Sequence, residues 1–75
     1  MTTFYQQVDK AWTIISPVGK TTTTYIQRMM GVGYNRAVKI IDELEKRGIV
    51  GQSDGMSPRV VQKLRKTTIA PNTTN

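Results

Sequence analysis

The order of elements that the sequence predicts is that of a winged helix-turn-helix, mainly α with a small β-hairpin: a three-helix core followed by a wing. Three observations predict it. Apolar residues recur at helical spacing near the start and again in the middle of the chain; the stretch "MGVGY" sets two glycines between two helical patterns; and two β-prone runs, "GIVGQ" and "RVVQ", follow the last of them.

Phe4, Val8, Ala11, Trp12 and Ile15 form the apolar stripe of a first helix, which must end before Pro17 because the residue preceding a proline is pushed out of the helical region. "SPVG" is a turn by composition, and Lys20 to Thr24 suits an extended stub or a helix N-cap. Thr24 with Gln27 has the form of a capping box, opening a second helix through Met30. Gly31 is placed to end that helix and Gly33 to precede the next, which leaves a tight turn between them. The third helix is predicted from about Tyr34 to Arg47, with Gly48 as its stop.

On this third helix Ala37, Val38, Ile40, Ile41 and Leu44 share one side. Asn35, Lys39, Asp42 and Lys46 line up within about 60° on the other, bordered by Arg36 and Glu43. Asp54-Gly55 is a hairpin signal between the two β-prone runs, and Pro58 predicts that the returning strand lies at a sheet edge. Val61 is expected to pack inward, and Phe4, Trp12, Met29 and Met30 to belong to the core. Tyr34 is open between packing under the turn and facing out. Residues 1–66 are read as one domain and 67–75 as a flexible tail, since "TTIAPNTTN" carries too little apolar surface to order itself.

Composition narrows the function classes. A chain of 75 residues makes one small domain that buries only about 60 to 65% of its unfolded surface. It has no cysteine and no histidine, so neither a disulfide staple nor the usual zinc spacings are available. General acid–base chemistry needs a titrating pair in a cleft, and five acids without a histidine offer little for one. Asp42, Glu43 and Glu45 also share a helix with Lys39, Lys46 and Arg47, where pairing one turn apart can consume them. No enzyme activity, cofactor or metal is expected. "GKTTTT" ends like a phosphate-binding loop, but the position of that motif's first glycine holds Ile14. With neither a signal peptide nor an apolar run of membrane-spanning length, a cytoplasmic, nucleoid-associated setting is the expectation.

Eleven Lys and Arg stand against five Asp and Glu, a net charge of +6 with a pI near 10.1, which points to a polyanionic partner. A helix with its side chains is about 10 to 12 Å across and fits the roughly 12 Å major groove of B-DNA. The polar strip then reads as base contacts: Asn35 to adenine, Lys39 to guanine, Asp42 to a cytosine amino group, and Arg36 to a guanine or a phosphate. Arg36 in the first helical turn opposes the helix dipole, at a cost that a bound polyanion would offset. Lys20, Arg28, Arg59 and Lys63 are the expected phosphate contacts. The expected partner is double-stranded DNA, with the protein a monomer in solution and room for several copies on the DNA. The rival reading is an interaction module whose polar face docks a recombinase or polymerase, and the basic balance does not separate the two.

At "IQRMMGVGYNRAVKIIDELEKRGIVG" the chain resembles the C-terminal gamma domain of the FtsK/SpoIIIE DNA translocases, a likeness that extends from about Phe4 to Val61. The resemblance implies a winged helix that reads short, oriented chromosomal sequences, sets a motor's direction and can contact a site-specific recombinase. It also implies that Asn35, Lys39 and Asp42 occupy base-reading positions. Family members usually carry arginine where this chain has Lys39, and a lysine offers guanine a point charge in place of a two-pronged contact. No ATPase motor accompanies the reader in this sequence, which leaves open a translocase module or a small stand-alone regulator.

Overall fold

In a computed structural model of the chain, which describes residues 3–53 and 57–65, three helices alternate with a minimal sheet. The order is α1 (Phe4–Ile15), β1 (Lys20–Thr21), α2 (Thr23–Met30), α3 (Tyr34–Lys46) and β2 (Arg59–Val60). α1 opens on a full capping box. The Thr3 hydroxyl accepts from the Gln6 backbone at 3.1 Å and the Gln6 side chain accepts from the Thr3 N–H at 2.8 Å, satisfying donors that a helix start leaves unpaired. It ends where the sequence requires: Ser16 caps it, its hydroxyl donating to the Trp12 carbonyl at 2.7 Å, and Pro17 follows.

The start of α2 differs from the capping box expected at Thr24. The N-cap is Thr22, whose hydroxyl accepts from the Tyr25 N–H at 3.0 Å, and Thr24 lies inside the helix. β1 sets this register. Thr21 is buried in the sheet, at 3% exposure, so the helix begins as soon as the chain is released from strand pairing. Gly31 then closes α2 in the left-handed conformation, at φ 64°, and Gly33 is the N-cap of α3, as expected for both glycines.

The sheet corrects the placement of the returning strand. β2 pairs antiparallel with β1, in the register Lys20↔Val60 and Thr21↔Arg59. On its other side Val61 bridges Val50, with the Gly51 N–H donating to the Val60 carbonyl at 3.0 Å and the Gln62 N–H to the Ile49 carbonyl at 2.7 Å. The returning segment is therefore central, not an edge. Pro58 is compatible with this because it precedes the first residue of β2, where no ladder N–H is required of it. The hairpin turn expected at Asp54-Gly55 and the tail expected over 67–75 lie outside the described residues.

The core collects one stripe from each helix: Val8, Ala11 and Ile15 from α1, Ile26 from α2, and Ala37, Ile40, Ile41 and Leu44 from α3, closed by Ile49, Val50 and Val61. Phe4, Trp12 and Met30 pack against this cluster. Met29 does not join them. It is 51% exposed, because neighbouring helical residues point about 100° apart and only one of the two methionines can face inward. Tyr34 is exposed as well.

After β2 the chain runs back onto α1 and is held there. The Trp12 indole N–H donates to the Lys63 carbonyl at 2.8 Å and the Arg65 N–H to the Ser16 hydroxyl at 3.0 Å. The Arg65 guanidinium also pairs with Asp9 and lies 5.3 Å over the Trp12 ring. Among the described residues, no helix is long and apolar enough to cross a membrane.

The turn between α2 and α3 gives a direct test. A Cβ added at Gly31 would meet nothing within 4 Å, so Gly31→Ala isolates the backbone cost of a left-handed residue, about 1 to 2 kcal/mol. For a domain of this size the thermal midpoint followed by circular dichroism should fall by about 4 to 16 °C.

Candidate functional site

α3 is amphipathic by sequence, and its packing converts that into a surface. Its buried face lies on both α1 and α2, so the opposite face points away from the body of the domain. That face carries Asn35, Lys39, Asp42 and Lys46, all exposed. At about 1.5 Å of rise per residue the four side chains span roughly 16 Å of helix. Two cavities, of about 320 and 200 Å³, open elsewhere, around Pro17 and Leu64 and around Val18 and Pro58. Neither of these two cavities is lined by a residue of the polar face of α3, which stands exposed along the helix.

Its electrostatics follow from which charges are already paired. Among the described residues, Glu43 pairs with Arg47 at 2.9 Å, Glu45 with Arg59 at 2.5 Å and Asp9 with Arg65, while Asp42 has no ion-pair partner. Pairing within α3 therefore consumes Glu43 but neither Asp42 nor Glu45. The one described carboxylate left free to accept from outside stands in the middle of the strip. Lys39 is likewise unpaired, and Lys46 makes only a 4.0 Å approach to Glu43 with its side chain 79% exposed.

The start of α3 is unusually bare. Its N-cap, Gly33, offers no side-chain hydrogen bond, and no acid stands in the first turn. The first-turn amides and the positive end of the helix dipole remain uncovered. Arg36 lies in that turn with its guanidinium 5.6 Å from the centre of the Phe4 ring, a cation–π contact that holds an exposed charge at the border of the strip.

The residues expected to meet phosphate divide. Lys20, on β1, and Arg28, in the last turn of α2, are exposed and without ion pairs among the described residues. Lys63 is exposed too, but its backbone is tied to Trp12 of α1 and, at 3.3 Å, to the Ile49 carbonyl. Its backbone therefore lies against α1 and the segment that leaves α3. Arg59 is engaged inside the protein. Its side chain is only 15% exposed, and besides Glu45 it donates to the Gly51 carbonyl at 3.4 Å.

Sequence reasoning missed this link and the Asp9–Arg65–Trp12 cluster, because both join residues far apart in the chain. The Thr3/Gln6 capping box was also missed, although its spacing is plain in the sequence.

A helix-turn-helix that presents the polar side of its third helix, flanked by a small sheet, defines a winged helix-turn-helix. The model of the FtsK gamma domain matches residues 5–63, and the chain belongs to that family. It is 43% identical over 53 residues to the DNA translocase FtsK of Treponema pallidum, 45% over 53 residues to that of Mesorhizobium japonicum and 46% over 50 residues to that of Lactiplantibacillus plantarum. These matches cover 67 to 71% of this chain but only 6 to 7% of the relatives' length.

The bare N-cap can be filled without distortion. The backbone at Gly33, φ −72° and ψ 164°, is already that of a capping residue, and a Cβ there would meet nothing within 4 Å. Gly33→Asp should add a cap and complement the positive end of the dipole, stabilising the domain by about 0.5 to 1 kcal/mol. Thermal denaturation should show a midpoint raised by a few degrees.

Proposed function

We propose that the chain is a reader of double-stranded DNA that recognises a short sequence through α3 laid in the major groove, and that it serves a DNA translocase as its reading module. The observation that carries this is the outward strip of Asn35, Lys39 and Asp42. An amide, an ammonium group and the one unpaired described carboxylate stand on one exposed helix face. Together they supply the donor and acceptor types that discriminate base edges in that groove. A protein-docking strip would gain little from a carboxylate kept unpaired among cations, whereas base readout has a use for it against cytosine.

Arg36 and Lys46 on α3, together with the exposed Lys20 and Arg28, offer positive charge to the phosphates. The bare start of α3 adds uncovered amides, which suit an anionic backbone. Support for the translocase setting over a stand-alone regulator comes from the relatives, all three of which are translocases that carry the matched segment as a small part of a long chain.

Two to four phosphates neutralised in this way should make the logarithm of affinity fall against the logarithm of salt concentration with a slope of roughly −1.8 to −3.6. Titrating a labelled duplex at several salt concentrations measures the slope, and a flat response would remove DNA as the partner. Selection of bound duplexes from a random pool defines the preferred sequence. Against that sequence Asn35→Ala and Lys39→Ala should each lose about 1 to 3 kcal/mol of discrimination while keeping weak general binding. Equal losses on selected and random duplexes would take α3 out of the reading role.

A further inference from the structure

We infer that Arg59 is a positioning residue rather than a phosphate contact. With Glu45 it forms a strut that fixes the wing against the reading helix and so sets the angle at which the strip enters the groove. The inference rests on the reading proposed above, and the strut itself is visible in the protein alone.

The geometry ties three segments at one guanidinium. Arg59 is the first residue of β2. One of its terminal nitrogens, Nη1, lies 2.5 Å from Glu45 Oε1 and 3.4 Å from the Gly51 carbonyl. Glu45 belongs to the last turns of α3, Gly51 to the limb that leaves α3, and Arg59 to the limb that returns. Backbone bonds join the limbs to each other, Gly51 to Val60 and Gln62 to Ile49, and pair β2 with β1, while the Ile49 N–H donates to the Leu44 carbonyl at 2.9 Å. The Arg59 guanidinium adds a direct side-chain tie between the returning limb and α3.

An arginine meant for phosphate would stand in water with its planar fork outward. This one is 15% exposed and faces inward to a carboxylate that is itself 35% exposed. Removing one partner of such a half-desolvated pair leaves the other charge partly buried and unsatisfied, which costs more than breaking a surface ion pair. The placement of Glu45 on α3 completes the argument. It lies about 90° around the helix from the centre of the strip, on the flank next to the wing. The strut therefore braces the reading helix without occupying the face that reads.

The test uses the sign of the charge. Glu45→Gln raises the net charge by one, so if the pair mattered only through long-range attraction, DNA binding would tighten on every sequence. Arg59→Gln removes a cation, so as a lost phosphate contact it would weaken all duplexes alike and reduce the salt slope by about 0.9. A strut predicts neither pattern. Both variants should lower the ratio of affinities for the pool-selected duplex over a random duplex of the same length, by about tenfold. The salt slope on the random duplex should stay unchanged, and Glu45→Arg combined with Arg59→Glu should restore much of the ratio.

A second arm needs no DNA. Amide residual dipolar couplings should show the α1–α3 frame intact in both variants and the β2 amides reoriented relative to α3. Unchanged β2 couplings would overturn the strut. Unchanged affinity ratios beside altered couplings would overturn its part in reading. If the native chain itself shows no preference between the two duplexes, the proposed function fails, and the couplings alone still decide whether Glu45 and Arg59 set the wing.

Discussion

The burial of one face of α3 against two helices at once is the constraint on which everything else depends. Ala37, Ile40, Ile41 and Leu44 are each at most 1% exposed, and burying side chains of this size stabilises by about 1.5 to 3 kcal/mol apiece for the larger three. Together that is comparable to the whole net stability of a small domain, about 5 to 15 kcal/mol. The rotation of α3 about its axis is fixed as a result. Turning the helix by a quarter would expose isoleucine and bury lysine, and the side chains at Asn35, Lys39 and Asp42 project outward because the alternative is too costly. Core and candidate surface are therefore two sides of one packing decision.

A division of labour between the two basic residue types follows. The five arginines are Arg28, Arg36, Arg47, Arg59 and Arg65. Three of them pair with acids, and Arg36, Arg47 and Arg65 lie over the aromatic rings of α1. The planar guanidinium can pair and stack together, which suits it to joining segments. The described lysines, by contrast, make no ion pair closer than the 4.0 Å approach of Lys46. Arginine holds the fold and lysine carries most of the free charge. A surplus of positive charge counted from composition thus overstates what is available to a polyanion in one residue type and not in the other.

What was legible in the sequence follows the range of the interaction concerned. The stripes of α1 and α3 and the glycines bounding the turn are set by neighbours within a few residues, and each appears where periodicity and backbone preference put it. Four threonines in a row, Thr21–Thr24, offer equivalent caps, and only the pairing of β1 with β2, nearly forty residues away, selects Thr22. Pro58 spoke for an edge strand because the second partner of β2 comes from before α2 and leaves no local trace. The same holds for Arg59. The sequence displays a charge beside a proline, whereas the acid that receives it lies on another element. The strip on α3 was readable as a pattern, but that Asp42 would be the acid left unpaired depended on where Glu43 and Glu45 found their partners.

Trp12 is the sole tryptophan of the chain, and its indole is bound by the segment that follows the wing through a hydrogen bond to Lys63 and a guanidinium over the ring. Its emission is accordingly tied to whether that segment is seated on α1. The domain thus carries a label-free optical probe of how the last described residues sit on α1, mounted on the helix from which the α3 strip faces away.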